Sequence, residues 1–351
     1  MDTTKTRPTK NKISPNAGKH SSGKLFAFLG SFRGVLALVV VLVVGAFYSP
    51  KNETGWPIFL TVGTQADILY EFAQVGLLAA GMTFVILSGG IDLSVGSVLG
   101  FVAMMFSLFY IGFGWNPVLA SAVAILIGAA CGLVNGLLVT QLRIQPFVAT
   151  LAMMVAARGG AELVSGNTKI QPGGKTWYAI TASDRLPFYE WMNSSIMNTG
   201  LRPMTLIFLF AIVASFIVIK YTSLGRQLYA IGGNEQAARL SGINVRRTKI
   251  AAYVVCAASA ALAGICNAAK QGLGYPQAGL TLELDAIAAV VIGGTSLTGG
   301  SGSMFYTLLG TLVIADITKI LSIKNVEHAY RLIAKGGLIV AAVLIQQRRS
   351  R

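Results

Sequence analysis

Apolar stretches of about twenty residues recur along the chain, near 31–49, 68–88, 93–112, 117–140, 146–166, 204–222, 248–270, 284–297, 303–321 and 329–347. A bilayer core about 30 Å thick takes roughly 20 helical residues to cross, and only a segment that satisfies its own backbone N–H and C=O groups is stable in hydrocarbon. The pattern predicts an all-α, polytopic membrane protein of about ten transmembrane helices, with the stretch at 284–297 the shortest. With 54% hydrophobic and 12% charged residues, the composition excludes an ordinary soluble globule.

Both ends are basic. Lys5, Arg7, Lys10, Lys12, Lys19 and Lys24 precede the first stretch, and Arg348, Arg349 and Arg351 follow the last. Lys and Arg are retained on the cytoplasmic side of a bilayer, so both termini are expected inside and the number of spans even. Residues 1–30 read as a disordered basic cytoplasmic tail, 31–347 as the transmembrane domain and 348–351 as a basic cytoplasmic end. The tail lacks the apolar core and small-residue cleavage site of a signal peptide. Alternation places 223–247 in the cytoplasm, where Arg226, Arg239, Arg246 and Arg247 agree with it. It places 50–67, 113–116 and 167–203 outside, and these hold all four tryptophans, Trp56, Trp115, Trp177 and Trp191. The net charge of +15 belongs to these tails and loops, so no nucleic-acid partner is expected.

The polar insert at 223–247 carries its own helix signals. Asn234 is placed to cap a helix, Glu235 suits the positive end of its dipole, and Gly242 can end it. A two-turn helix results, roughly 10 to 12 Å long. Too short to cross, it lies at the water interface and is expected to offer the small Ala237 and Ala238 to another protein.

This stretch resembles the cytoplasmic coupling loop of permease subunits in bacterial ABC sugar importers of the ribose, galactose and xylose type. The likeness rests on Gly232-Gly233-Asn234, on Ala237-Ala238 and on the Ser241-Gly242-Ile243-Asn244 exit. Gln236 stands where the wider importer signature has Glu, and the later Leu-Pro is missing, which favours the sugar branch. Further blocks resemble the same family: Gly89 to Ser94, Asn135, Gln145-Pro146-Phe147, and Glu283 to Ala288 followed by Gly293-Gly294. The resemblance implies coupling to a separate ABC ATPase subunit through Gly232, Gly233, Asn234, Glu235, Ala237, Ala238, Arg239, Ser241 and Gly242. It also implies a periplasmic sugar-binding protein, a second copy of the permease or a related one, and a place in the bacterial inner membrane. The loop at 167–203 is either a landing surface for that binding protein or packed on its own spans.

Two glycine runs interrupt apolar sequence, Ser88-Gly89-Gly90-Ile91-Asp92 onward and Ile292-Gly293-Gly294-Thr295-Ser296 onward. Aligned without gaps they share several residues, which suggests an internal repeat of the kind transporters use. Each run is either a tight turn or a broken helix whose polar backbone lines a passage, since irregular backbone at membrane depth survives only beside protein or water. On the second reading Ser88, Gly89, Gly90, Asp92, Asn135, Gln145, Gly293, Gly294 and Thr295 are candidates for the translocation pathway.

Catalytic and metal chemistry find little to work with. Cys131, Cys256 and Cys266 lack paired spacing, and His20 and His328 are the only histidines. No Gly-x-x-x-x-Gly-Lys-Ser/Thr phosphate loop is present, so the chain is expected to bind no cofactor, with ATP and Mg on the partner ATPase. Asp316 and Lys319 are spaced to pair on one helical face, as are Arg158 and Glu162. Gly132 and Gly136 have the spacing of close helix contact, within one subunit or at a dimer seam. The alternative to an ATP-driven permease is an ion-coupled secondary carrier using Asp92 and Asp316. An intramembrane enzyme is a third reading, for which no nucleophile and base converge.

Overall fold

A computed structural model describes residues 33–172, 186–198 and 200–347. The tail at 1–30, the end at 348–351, His20 and Trp177 lie outside the described residues. Thirteen α-helices and no β-strand are found among the described residues. In order they are α1 (Arg33–Tyr48), α2 (Val62–Leu87), α3 (Val95–Ser107, extended by a π turn Leu108–Gly112), α4 (Pro117–Thr140), α5 (Pro146–Ser165), α6 (Pro187–Asn193), α7 (Pro203–Tyr221), α8 (Ser223–Gly233), α9 (Glu235–Leu240), α10 (Val245–Gln271), α11 (Leu282–Ile292), α12 (Met304–Ile323) and α13 (His328–Gln347).

Each apolar stretch coincides with one helix. Seven of them, α2 with its flanking relatives α3, α4, α5, α7, α10 and α12, are long and apolar enough to cross a bilayer. The all-α polytopic architecture is therefore as the hydropathy pattern predicts, while α1, at 16 residues, and α11, at 11, are shorter. Local sequence sets the ends. Asn116 accepts from the Val118 amide at 2.8 Å ahead of Pro117, and Asn244 accepts from Arg247 at 3.0 Å ahead of α10. Gly166 and Gly272 close α5 and α10 with left-handed backbone.

The 27-residue α10 lies at the centre, its buried face made of small residues such as Ala257, Ala260, Ala261 and Gly264. Facing glycines come almost to backbone contact. A Cβ at Gly136 would lie 2.8 Å from the Ile250 Cα, and one at Gly132 would strike the Tyr253 carbonyl. The Gly132–Gly136 pair is thus used inside the subunit, to seat α4 on α10.

Because α10 is long and central, it gives the depth of its neighbours. Gly81 of α2 lies against Cys256, and Asn267 donates to Gln74 at 2.9 Å, so α2 runs antiparallel to α10. Leu87, the end of α2, then lies about 9 Å beyond the Cys256 level at 1.5 Å per residue. Leu99 of α3 instead lies against Gly264, about 12 Å to the other side of Cys256. Residues 88–94 therefore climb roughly 15 Å through the bundle without helical structure. Ser88, Asp92 and Ser94 on that path are all buried. The glycines of the first run thus turn the chain back, because α3 runs antiparallel to α2, and the non-helical stretch after them leads to an α3 that starts inside the bundle.

The second run is a turn, since Gly293 sits against Tyr306 and Gly310 against Ala289, so that α11 and α12 run antiparallel on either side of it; the non-helical stretch at depth lies instead ahead of α11. Gly274 exchanges backbone bonds with Ile170 and sits against Ser107, whereas Gly279 sits against Gly96. The segment leading to α11 thus descends about 16 Å along α3. Arg158 holds it there, donating to the carbonyls of Pro276 and, at 2.9 Å, Ala278. At about 16 Å, α11 spans half a membrane, and its start meets the start of α3, where a Cβ on Gly96 would strike Glu283 and Gly279.

Two side-chain pairs anticipated from spacing are not formed. Lys319 pairs with Glu71 at 3.1 Å rather than with Asp316, because its side chain reaches the start of α2. Arg158 serves the Pro276 and Ala278 carbonyls, and no ion pair joins it to Glu162 among the described residues. At the bundle end marked by Tyr70 and Ser107, α6 packs down on the spans. Tyr70 donates to Asn193 at 2.5 Å, Asn193 donates to the Ala269 carbonyl at 2.8 Å, and Tyr189 lies 3.2 Å from the Ser107 hydroxyl. This part of 167–203 rests on its own spans.

Candidate functional site

The polar insert folds into two helices where the sequence suggested one. Leu228 and Ile231 bury one face of α8, and Asn234 breaks the helix with extended backbone. The same asparagine caps α9, its side chain accepting from the Ala237 amide at 2.9 Å. Gly242, at φ +82°, ends α9 as expected. With six residues α9 is about 9 Å long.

Ala238 does not face outward. It is buried with Ile231 and Val245, where it fastens α9 to the flanking helices. The open face consists of Gln236, Ala237, Arg239 and Leu240. Leu240 is 91% exposed at the tip of the loop, an apolar side chain held out into water by a well-fixed helix. Its exposure was hidden in the sequence, because a leucine at a helix end reads as core.

Glu235 ties α9 to α10. Its carboxylate accepts from Lys249 at 2.6 Å and from Arg239 at 3.3 Å. The Lys249 hydrogen bond, aided by both positive charges, holds the carboxyl below the ordinary carboxylate value. A carboxyl depressed in the folded state stabilises above its unfolded pKa and loses that contribution as pH falls through the folded one. Hydrogen exchange of the 234–241 amides is accordingly expected to be flat in protection from neutral pH down to 4.5, the ordinary carboxylate value, and to lose protection only below it. Glu235→Gln should remove the transition; an unchanged profile in that variant would sever the link.

Three glycine segments meet behind α9. Gly300 donates its backbone N–H to the Leu87 carbonyl at 3.0 Å. A Cβ on Gly232 would strike that same carbonyl and the Gly300 nitrogen. One on Gly299 would lie 2.8 Å from the Gly89 nitrogen and 2.9 Å from the Gly232 Cα. Tyr229 reinforces the contact by donating to the Gly302 carbonyl at 2.8 Å. The segment that carries α9 is thus in main-chain contact with both glycine turns at once.

The pathway candidates fall into groups. Asp92 accepts from the Ser94 amide at 2.8 Å and from its hydroxyl at 2.6 Å, and Asn135 donates to the same hydroxyl at 3.0 Å. Asp92 and Asn135, 43 positions apart in sequence, therefore belong to one fully buried polar cluster beside Tyr253. Ser88 donates to the Val85 carbonyl and, with Gly89 and Gly90, ends α2. Gly293 packs on Tyr306 of α12, and Thr295 is buried next to Gly302. Gln145 is exposed ahead of α5 and does not cap it. The two turns share one hydrogen-bond pattern, with Gly90 N–H to Val85 and Gly89 to Ile86 matching Thr295 to Val290 and Gly294 to Val291. The left-handed residues are Gly89 and Gly294, so the equivalence is shifted by one from the ungapped alignment, which pairs Gly89 with Gly293.

A bundle of long apolar helices with two glycine turns at one end, backed by a short capped helix, has the architecture of a polytopic membrane permease. The chain belongs to the family described as the branched-chain amino acid transport system / permease component, which matches residues 65–343. Among its relatives, the ribose import permease protein RbsC of Escherichia coli (strain K12) is 36% identical over 92% of this chain and 95% of its own length. RbsC of Bacillus subtilis (strain 168) is 37% identical over 93% and 94%. The xylose transport system permease protein XylH of Escherichia coli (strain K12) is 30% identical over 97% of both. The resemblance to permease subunits of the ribose and xylose branch is thereby upheld. No solved structure matches the chain significantly.

Proposed function

We propose that the chain is the membrane subunit of an ATP-driven importer that moves a monosaccharide into the cell. Its family description names amino acids, but relatives aligned over more than nine-tenths of the chain are named for ribose and xylose, which supports a sugar. A periplasmic binding protein delivers the sugar, two permease subunits form the pathway, and a separate ATPase with its ATP and Mg supplies the energy. The chain resides in the bacterial inner membrane with both termini in the cytoplasm, as the basic ends and Arg226, Arg239, Arg246 and Arg247 favour.

One observation carries this reading: α9 projects an exposed Leu240, while the glycine joint behind it touches the turns that follow α2 and α11. A motor that grips α9 would move 88–94 and 293–302 together. Such a motor shifts the pathway between states only through its differential affinity for them, which changes with ATP. Asp92, Asn135 and the meeting ends of α3 and α11 are the proposed lining, where small polar groups pass a sugar whose identity is selected by the binding protein.

The test is to copurify the complex, reconstitute it in liposomes and measure ATP turnover with ribose and with xylose supplied on the binding protein. Stimulation by one sugar and uptake that requires ATP are expected. Uptake that persists in nucleotide-free vesicles would overturn the proposal in favour of an ion-driven carrier.

A further inference from the structure

A cavity of about 240 Å³ opens between α7, α8 and the start of α12, next to the glycine joint. Its polar lining is Lys220, Arg226, Tyr229 and Ser303, and its apolar lining Phe216, Ile219 and Met304. Lys220 and Arg226 are both exposed, and neither has a carboxylate partner among the described residues. Lys220 stands 5.0 Å from the Phe216 ring, and Arg226 makes only a long 3.5 Å contact with the Tyr221 carbonyl. The Ser303 side chain leaves the first turn of the 20-residue α12 uncapped, which adds the positive end of a helix dipole to the two cations. These positive groups line one concave site and invite an anion.

What lies beside the cavity identifies the anion's carrier. On α7 the exposed side chains Leu206, Phe210, Val213 and Ile217 recur at helical spacing and form an apolar stripe that runs up to Lys220. The stripe is about 16 Å long at 1.5 Å per residue, the depth of one leaflet. A soluble anion would use the cations and ignore the stripe, whereas a phospholipid fits both. We propose that the cavity holds the phosphate of an anionic glycerophospholipid, in the leaflet at the α9 end of the bundle, with its acyl chains along Leu206 to Ile217. Bound there, the lipid bridges α7, α8 and α12 and braces the joint from the side. Basic pockets between spans recognise lipid headgroups in this way, with exposed polar–apolar boundaries placing the charge at the interface.

The test is native mass spectrometry of the full-length chain, delipidated in detergent and offered equal amounts of phosphatidylglycerol and phosphatidylcholine. Wild type is expected to retain phosphatidylglycerol selectively. Removing both cations in Lys220→Gln/Arg226→Gln should cut that preference by about 30-fold, from the usual worth of two interfacial cations. Lys220→Arg/Arg226→Lys should keep it. All forms should melt at the same temperature in phosphatidylcholine nanodiscs, which separates lost binding from lost folding. Equal retention by wild type and the double Gln variant would overturn the site. Displacement of phosphatidylglycerol by millimolar inorganic phosphate, with no effect of acyl chain removal, would overturn the lipid assignment.

Discussion

Gly232→Ala is expected to reduce sugar uptake to about a tenth or less, while Gly233→Ala, one residue on, leaves it near wild type. The contrast follows from what a single methyl group meets. At 232 it would strike the Leu87 carbonyl and the Gly300 nitrogen, and at 233 nothing lies within 4 Å. Overpacking usually costs about 1–3 kcal/mol when side chains can yield, and here the obstacles are main-chain atoms of two other segments, so the upper end applies. The contact should open instead, uncoupling α9 from both turns. Uptake of labelled sugar and ATP hydrolysis, measured on the same preparation, read the two separately: hydrolysis should persist where uptake is lost. Equal transport by the two alanine variants would remove the joint from the mechanism.

Leu240→Asp is the second large effect. At 91% exposure the side chain contributes almost nothing to the fold of the free subunit, so expression, insertion and melting temperature should stay as in wild type. An apolar anchor buried at the centre of an interface is worth 2 kcal/mol or more, and replacing it by a charge should weaken association with the ATPase by about 30-fold or more. Copurification of the ATPase and sugar-stimulated hydrolysis should fall together. If both survive intact, α9 is not the docking element. Ala238→Trp is the less informative variant, because Ala238 is buried against Ile231 and Val245, and a bulky ring there would dislodge α9 before any partner is met.

What could be read beforehand was whatever depends on neighbours in sequence. The long helices followed from runs of apolar residues, and Asn234 and Gly242 announced the ends of α9 because a cap acts within four residues of itself. The orientation of Ala238 was lost because adjacent positions on a helix differ by about 100°, and the direction of burial is set by Ile231 and Val245 outside the helix. Lys319 was assigned to Asp316 by spacing, whereas its partner Glu71 lies 248 positions away in the chain. The glycine runs were visible as interruptions but not as turns, and their contact with Gly232 involves backbone atoms alone and leaves no side-chain trace from which to infer it. The cavity beside α7 was equally hidden, since Lys220 and Arg226 read only as interfacial charge until Ser303, far along the chain, came to face them.

A junction made of main-chain atoms recognises no residue type on the far side, and so imposes no vocabulary on the loop that follows it. Residues 234–244 are in that sense a cassette. Exchanged for the equivalent stretch of a permease that answers to a different engine, they should redirect the chain to that engine while the conduit keeps its cargo.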